Sequence, residues 1–224
     1  DVVHLMVDLM LAGDEPRTRR RGVVCTVYDP CCGSGGMLTI TKEHITVGLR
    51  RNGDILRSPV NPGAEIHLFG QEVNPETWAV SKSDLFMKDP TGRDADRIVF
   101  GSSLSNDRHA GMHFDYLIAN PPYGKDWKGD EDAVRADHAR GAAGRFGPGL
   151  PRISDGQLLF LLHMLAHAKD PKDAKEAKEP KDAKAPAETP KLGFVGFPAE
   201  GKKLKDAAAA EAVAQIVYPV DRDR

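Results

Sequence analysis

The sequence predicts an α/β fold in three layers, with helices on both faces of a mostly parallel, twisted sheet. A β-branched apolar run at residues 23–28 leads straight into a glycine-rich turn and then a helical pattern, which is how a doubly wound sheet opens. Further short apolar runs at 66–70, 97–100 and 114–119 alternate with helical or loop segments. We therefore expect one sizeable domain of the Rossmann-like kind.

The first helices of this fold can be assigned in order. Apolar residues at helical spacing predict an amphipathic helix over residues 1–12, and another helix should follow the glycine turn to about Arg51. Residues 52–64 are expected to form a loop. Pro75 suits the first turn of a helix that continues to about Lys88. The residues expected on the inner side of that helix are Trp78, Leu85 and Phe86.

The middle of the chain combines a long charged segment with an apolar helix. Residues 125–151 are rich in glycine and charge, and we weigh equally a segment that folds over DNA and a solvated loop. Ser154 and Gln157 resemble a capping box for a buried helix from about 158 to 169. The basic residues that would face DNA are Lys125, Lys128, Arg135, Arg140, Arg145 and Arg152.

Composition predicts where the domain is interrupted. We expect residues 1–168 to form the core, and residues 169–191, rich in Lys, Asp, Glu, Ala and Pro, to be a disordered low-complexity insertion. Residues 192–224 should return to the same domain. The elements expected there are a strand over 192–197, a helix over 205–214 and a second possible strand over 215–220.

Charge and cysteine content exclude some classes of protein. The 224 residues carry a formal charge of -2, which argues against a free-standing, strongly basic binder of nucleic acid. No apolar run is long enough to span a bilayer and no signal peptide is visible, so we expect no membrane association. Cys25, Cys31 and Cys32 fall within eight residues and suggest reduced thiols in the cytoplasm. The chain begins at Asp1, and we expect the natural amino terminus to lie upstream.

Two histidines of the apolar helix are a weak candidate for metal binding. His163 and His167 lie one helical turn apart. Because no third ligand is in view, we interpret them as packing or surface residues and predict no metal site.

The segment Asn120-Pro121-Pro122-Tyr123 follows the apolar run at 114–119 directly. Two prolines fix the backbone and remove two donors, so the chain leaves the strand in a stiff, extended turn with free carbonyl groups. The Asn120 amide oxygen, the Pro121 carbonyl and the Tyr123 ring together suit a flat, amino-bearing ring such as a nucleobase. The alternative is an ordinary turn after a strand.

A second candidate site is the glycine loop after the first strand. Glycines at 33, 35 and 36 let backbone amides approach a ligand, and the helix amino terminus beyond them favours a carboxylate. Leu38 stands where a dinucleotide-binding loop has glycine, which disfavours nicotinamide and flavin cofactors. S-adenosyl-L-methionine, an adenosyl ligand with a carboxylate, remains. A tight turn with no ligand is the alternative.

An acidic residue, Glu72, ends the second predicted strand. This is where the ribose hydroxyls of an adenosine-bearing cofactor are bound in doubly wound folds. A surface carboxylate at a strand end would look the same in the sequence.

Together these segments resemble the modification (methyltransferase) subunit of type I restriction-modification systems, an N6-adenine DNA methylase family. The resemblance covers about residues 1–168, and the motifs occur in the family's order. Ser102 stands where adenine methylases often have Asp. The segments that carry it are 29–38, 72–77, 101–107, 120–124, 147–152 and 154–160.

The resemblance implies a methyltransferase fold dependent on S-adenosyl-L-methionine, truncated at both ends, and methylation of N6 of adenine in double-stranded DNA. It implies that specificity and restriction subunits are partners. The implied target-base residues are Asn120, Pro121, Pro122 and Tyr123. The implied cofactor residues are Asp29, Cys31, Gly33, Ser34, Gly35, Gly36, Glu72 and Ser103.

Two other functions are compatible with the same residues. The motif at 120–123 also occurs in methylases of protein glutamine and of RNA bases. A truncated, non-catalytic assembly subunit is the alternative from a different class.

Overall fold

The computed structural model describes residues 2–12, 15–51, 54–169 and 191–194. Its strands are β1 (Val24–Asp29), β2 (Leu49–Arg51), β3 (Asp54–Arg57), β4 (Glu65–Glu72), β5 (Ile98–Phe100), β6 (Tyr116–Ala119) and β7 (Lys191–Phe194). Its α-helices are α1 (Val2–Leu11), α2 (Glu15–Thr18), α3 (Gly36–Thr46), α4 (Pro75–Lys88), α5 (Arg93–Asp96), α6 (Glu131–His138) and α7 (Gln157–Ala166).

Five strands form one parallel sheet in the order β5-β4-β1-β6-β7. The chain builds outward from β1 to β4 and β5, then returns to the other side of β1 to add β6 and β7. The strand order therefore reverses between β1 and β6. In doubly wound sheets this switch point opens a crevice at the carboxyl ends of the strands, where ligands bind.

The alternation of side chains along the strands produces the three layers. Cys25 and Val27 of β1 point to the face that is covered by α1, α3 and α4, whereas Tyr28 joins the cluster on the opposite face with Met164 of α7. Tyr116 and Leu117 of β6 divide between the two faces in the same way. The predicted three-layer arrangement on a mostly parallel sheet is confirmed.

The helix predicted to reach Arg51 ends early, and this prediction was wrong. The α3 helix stops at Thr46, and Gly48 adopts φ = +80° while its N–H donates to the Glu43 carbonyl at 2.8 Å. A glycine in the left-handed region just past a helix is a common stop signal. The strands β2 and β3, which pair antiparallel, lie within the residues predicted as helix and loop.

Two local predictions about helices were also wrong. The α7 helix begins at Gln157 with Gly156 as N-cap and no side-chain cap, so Ser154 and Gln157 do not form a capping box. On α4, Leu85 is buried and Trp78 packs on the core, but Phe86 is 57% exposed. Phe86 lies one residue, and therefore about 100° around the helix, beyond Leu85.

The segment predicted to be irregular, 125–151, contains the α6 helix and is anchored by apolar side chains. Trp127, Val134 and Phe146 are buried in a cluster with Leu159 of α7. These buried side chains pack the charged segment against the domain. The segment therefore contributes to a small second hydrophobic core despite its polar composition.

Some predictions fall on residues that the structure does not describe. Residues 170–190 of the insertion predicted over 169–191, and the helix and strand predicted after residue 204, lie in this part of the chain. The two end residues of the insertion are described: Lys169 Nζ donates to Asp115 Oδ1 at 2.6 Å, and Lys191 begins β7. The strand predicted over 192–197 overlaps β7 where it is described. In the described residues, no helix is long and apolar enough to cross a bilayer.

Candidate functional site at the switch point of the sheet

Two predicted loops meet the same edge of the sheet. The glycine loop leaves the carboxyl end of β1, and the loop that starts at Asn120 leaves the carboxyl end of β6. Because β1 and β6 are adjacent and parallel, with Val27 beside Tyr116 and Tyr28 beside Leu117, both loops border the crevice at the switch point. The two motifs that the sequence predicted to bind a cofactor and a target base are thereby brought to one place.

The glycine loop is wound tightly into the start of α3. Gly33 and Gly35 have φ of +55° and +80°, and the Gly35 N–H donates to the Cys32 carbonyl at 2.8 Å. Gly35 is the N-cap of α3 and supplies no side-chain cap. The amino end of this helix, with its positive partial charge, therefore has no capping side chain of its own. Ser34 is exposed beside it.

Asp29 is a buried carboxyl group at the end of β1. Its side chain is 2% exposed, and its Oδ1 accepts the Cys31 N–H at 2.9 Å. Burial raises the pKa of Asp29 to about 7, because the charged form loses its hydration. Burial also raises the pKa of the Cys31 thiol, which disfavours the reactive thiolate.

Glu72 ties the end of β4 to the glycine loop. Its Oε2 accepts the Gly33 N–H and its Oε1 accepts the Asn74 N–H, both at 2.8 Å. A carboxylate has about four acceptor positions, so Glu72 keeps capacity for a ligand hydroxyl. The Asn74 side chain in turn caps α4 by accepting the N–H groups of Glu76 and Thr77.

Ser103 supports the same loop from the turn after β5. Its side chain is buried, and its hydroxyl donates to the Pro30 carbonyl. Asp29, Glu72 and Ser103 thus each form a hydrogen bond with the backbone of residues 30–33.

The loop from Asn120 to Tyr123 is more open. Asn120 and Pro122 are exposed, Pro121 is buried, and the Tyr123 ring is 40% exposed. Gly124 closes the loop with φ = +63°. The two exposed polar side chains are accessible to a ligand that enters the crevice.

A buried polar cluster behind the loops was missed by sequence reasoning. Tyr28 and His163, both fully buried, meet with Tyr28 Oη and His163 Nε2 2.9 Å apart, and Arg145 Nη1 is 2.8 Å from His163 Nδ1. His167 Nε2 lies 2.9 Å from Asp107 Oδ2. The spacing of His163 and His167 was the one signal of this cluster in the sequence.

Asp107, His163 and His167 offer ligand atoms within 4.8 Å of one another, which is close enough for a metal ion. Two features oppose that use. Both ring nitrogens of His163 already form hydrogen bonds, and the Arg145 guanidinium lies 3.7 Å from Asp107 Oδ2. A fixed positive charge at this point would repel a cation, so we interpret the group as a hydrogen-bonded cluster.

A groove of about 730 Å³ lies beside this cluster. It contains none of the predicted site residues, although Asp107 and His167 reach its wall. Its remaining lining combines alanine and glycine residues with the charged side chains of Asp137, Arg140 and Arg145.

The fold and its two loops define a doubly wound α/β protein with a candidate ligand crevice at the switch point. Residues 1–174 match the family described as N-6 DNA Methylase, and the chain belongs to that family.

The relatives that the chain matches include methylase subunits of type I restriction enzymes. The chain is 28% identical over 142 residues to the type I restriction enzyme MjaIX methylase subunit of Methanocaldococcus jannaschii, covering 63% of this chain and 23% of that protein. It is 28% identical over 168 residues to the HindI methylase subunit of Haemophilus influenzae, covering 74% and 31%. The chain therefore spans about a quarter to a third of the length of these relatives.

A solved structure supports the fold. The type I restriction-modification methyltransferase subunit of Streptococcus thermophilus aligns with a TM-score of 0.52 at 24% identity. The alignment covers 75% of this chain and 30% of that one.

Proposed function

We propose that this chain is the catalytic core of a DNA methylase that transfers a methyl group from S-adenosyl-L-methionine to N6 of adenine. One observation carries the proposal: the glycine loop and the Asn120–Tyr123 loop leave adjacent parallel strands at the switch point. A cofactor held by the first loop and a base held by the second would share one crevice. Membership of the N-6 DNA methylase family supports this assignment.

The residues of the cofactor side fit the chemistry of S-adenosyl-L-methionine. Glu72 retains acceptor capacity for ribose hydroxyls, and the uncapped amino end of α3 suits a carboxylate. Asp29 presents a carboxyl group that a nearby cation would help to ionise. The bound cofactor would supply an electrophilic methyl group. The other candidate contacts are Cys31, Ser34, Gly35, Gly36 and Ser103.

The target side fits an amino group on a flat ring. N6 of adenine is a weak nucleophile, because its lone pair is delocalised into the ring. Acceptance of the two N6 hydrogens by the Asn120 side-chain oxygen and the Pro121 carbonyl would localise that lone pair toward the methyl group. Pro122 stiffens the loop, and Tyr123 would stack on the base after it is flipped from the duplex. In-line positioning would then accelerate transfer without a covalent intermediate, since the methyl–sulfur bond breaks as the methyl–nitrogen bond forms and N6 releases one proton to solvent.

The proposal extends to the assembly in which the chain works. With a formal charge of -2, the chain supplies little neutralisation of phosphates by itself. We infer that specificity and restriction subunits of a type I complex in the cytoplasm contribute much of the affinity for double-stranded DNA. Such partners are consistent with the names of its relatives.

The decisive experiment is Asn120→Ala in the full-length protein assembled with its partner subunits. We expect tritium transfer from S-adenosyl-L-methionine to DNA to fall by at least about 100-fold, because loss of one preorganised hydrogen-bonding group costs that much in comparable sites. Cofactor binding measured by calorimetry should persist. His113→Ala, at an exposed residue near the amino end of the same strand, is the control and should leave transfer unchanged.

Unchanged transfer in Asn120→Ala would reject the role assigned to that side chain. Digestion of the methylated product to nucleosides identifies the substrate, and N6-methyladenine is expected. Label in protein glutamine or in RNA would instead favour one of the other substrate classes. Absence of cofactor binding in the assembled wild type would favour a non-catalytic subunit.

A further inference from the structure

Arg145 is a mostly buried cation that contacts four acceptors in different parts of the chain. Its side chain is 18% exposed. Nε donates to Asp137 Oδ2 at 2.7 Å, and Nη2 donates to the Leu104 carbonyl at 3.0 Å. Nη1 donates to the Ser103 carbonyl at 2.7 Å and approaches His163 Nδ1 at 2.8 Å. This planar fork is specific to arginine, because a lysine ammonium cannot reach acceptors in the same spread geometry.

The backbone on both sides of Arg145 is packed so closely that it leaves no room for a side chain at two positions. A Cβ atom on Gly144 would lie 1.9 Å from the Asp137 carbonyl oxygen, and one on Gly147 would lie 2.1 Å from the Gly141 carbonyl oxygen. Both positions therefore require glycine. Together with the buried Phe146, they fix the direction in which Arg145 enters the domain.

One branch of contacts runs from Arg145 through Ser103. The guanidinium holds the backbone carbonyl of Ser103, and the Ser103 hydroxyl donates to the Pro30 carbonyl. Pro30 is the first residue after β1, which ends at Asp29. Arg145 therefore sets the position of a side chain that braces this loop.

A second branch runs through His163. Arginine can only donate, so His163 Nδ1 must accept, and the ring proton must lie on Nε2, which faces the Tyr28 hydroxyl at 2.9 Å. Burial holds the pKa of His163 well below its usual value, in agreement with a neutral ring. Tyr28 is the residue immediately before Asp29.

The two branches end on the residues either side of Asp29. We propose that Arg145 is a positioning residue, which holds the Asp29 carboxyl and the start of the glycine loop through Ser103–Pro30 and His163–Tyr28. In the proposed function, this arrangement would preorganise the site for S-adenosyl-L-methionine. Arg145 thereby also connects the segment 125–151, which follows the Asn120–Tyr123 loop, with the glycine loop.

The test uses Arg145→Met, which keeps side-chain length and removes the donors, and Tyr28→Phe, which removes one hydroxyl from the second branch. In the assembled full-length enzyme, we expect Arg145→Met to weaken S-adenosyl-L-methionine binding by about 10-fold or more and Tyr28→Phe by about 3-fold. Because the second branch runs from Arg145 through His163 to Tyr28, the contribution of the Tyr28 hydroxyl depends on Arg145, and the double variant should bind about as weakly as Arg145→Met alone. The value of KM for the cofactor should change more than kcat does.

Arg140→Ala is the matched control. Arg140 also donates to Asp137, at 3.1 Å, but its side chain is 63% exposed. The affinity of the Arg140→Ala variant for S-adenosyl-L-methionine should equal that of the wild type. Equal affinity in wild type, Arg145→Met and Tyr28→Phe would overturn the proposal, as would fully additive effects in the double variant.

Hydrogen exchange without cofactor separates this inference from the proposed function. Amides of residues 31–36 should exchange faster in both variants than in the wild type and in Arg140→Ala. Tyr28→Phe supplies this result even if Arg145→Met does not fold. Unchanged exchange in a folded Tyr28→Phe protein would overturn the inference, whereas a wild type without cofactor binding would overturn only the proposed function.

Discussion

The two loops at the switch point are built in different ways. The loop after β1 is held from several directions: Glu72 accepts the Gly33 N–H, Ser103 donates to the Pro30 carbonyl, and Asp29 is 2% exposed. The loop after β6 presents Asn120 to solvent and leaves Tyr123 40% exposed. The first loop owes its shape to tertiary contacts, whereas the second owes much of its stiffness to two consecutive prolines.

This difference suits two ligands of different size. A small cofactor needs a preformed site, because each group ordered on binding subtracts from its affinity. A base that is part of a DNA duplex needs an accessible site, and partner subunits can supply further contacts to the duplex. We therefore expect substitutions on the β1 side to affect the stability of the domain, and substitutions on the β6 side to affect the reaction.

The largest effect on stability should come from Asp29. Its pKa is raised from 3.8 to about 7 by burial, which corresponds to about 4 kcal/mol between the protonated and charged forms. A raised pKa stabilises the folded state below the unfolded value, and this contribution is lost as the pH rises through the folded value. Asp29→Asn should therefore gain stability relative to wild type as the pH rises from about 4 to about 7.

Urea unfolding of both proteins at a series of pH values measures this difference. Burial lowers the pKa of His109 and of His163, so these rings also titrate in this pH range. Because both proteins contain them, their contribution cancels when the unfolding free energy of the wild type is subtracted from that of Asp29→Asn. A difference in unfolding free energy that stays constant from pH 4 to pH 8 would contradict the assigned environment of Asp29.

A smaller effect is expected from a matched pair of glycines, one in each loop. Gly35 has φ = +80°, and a Cβ there would lie 2.8 Å from Ser81 Oγ, so Gly35→Ala should cost about 2–4 kcal/mol. Gly124 has φ = +63° with nothing within 4 Å, so Gly124→Ala should cost only about 1 kcal/mol of backbone strain. Thermal unfolding of the two variants tests the contrast, and equal losses would show that the loops are equally constrained.

The parts of the molecule that sequence predicted best depend on local patterns. The strands β1, β4, β5 and β6 and the helix that begins at Pro75 are marked by apolar runs and by Pro at the first turn. The positions of the two site loops at the ends of strands could also be predicted, because each loop directly follows an apolar run. Parallel pairing then requires them to share an edge.

The parts that sequence missed depend on distant partners. Arg145 lies among glycines and charged residues, which is typical of solvated chain, yet it is buried because carbonyls 41 and 42 residues away accept its donors. Of the six basic residues that would face DNA if the segment folded over it, Arg145 is therefore engaged inside the domain instead. Phe86 has the opposite character, since it is apolar but exposed. No short window of sequence distinguishes these cases.

The smallest effect on stability should come from Tyr123, where the effect on the reaction should be large. Because its ring is partly exposed at the end of a loop, Tyr123→Ala should change the free energy of unfolding by only about 0.5 kcal/mol. A ring that stacks on an extruded base contributes about 1–3 kcal/mol, so methyl transfer at subsaturating DNA should fall by about 10-fold or more. Tyr123→Phe keeps the stacking face and should retain most of the transfer. Single-turnover methylation by the two variants measures this, and an equal loss in both would assign the role to the hydroxyl and place the base elsewhere in the crevice.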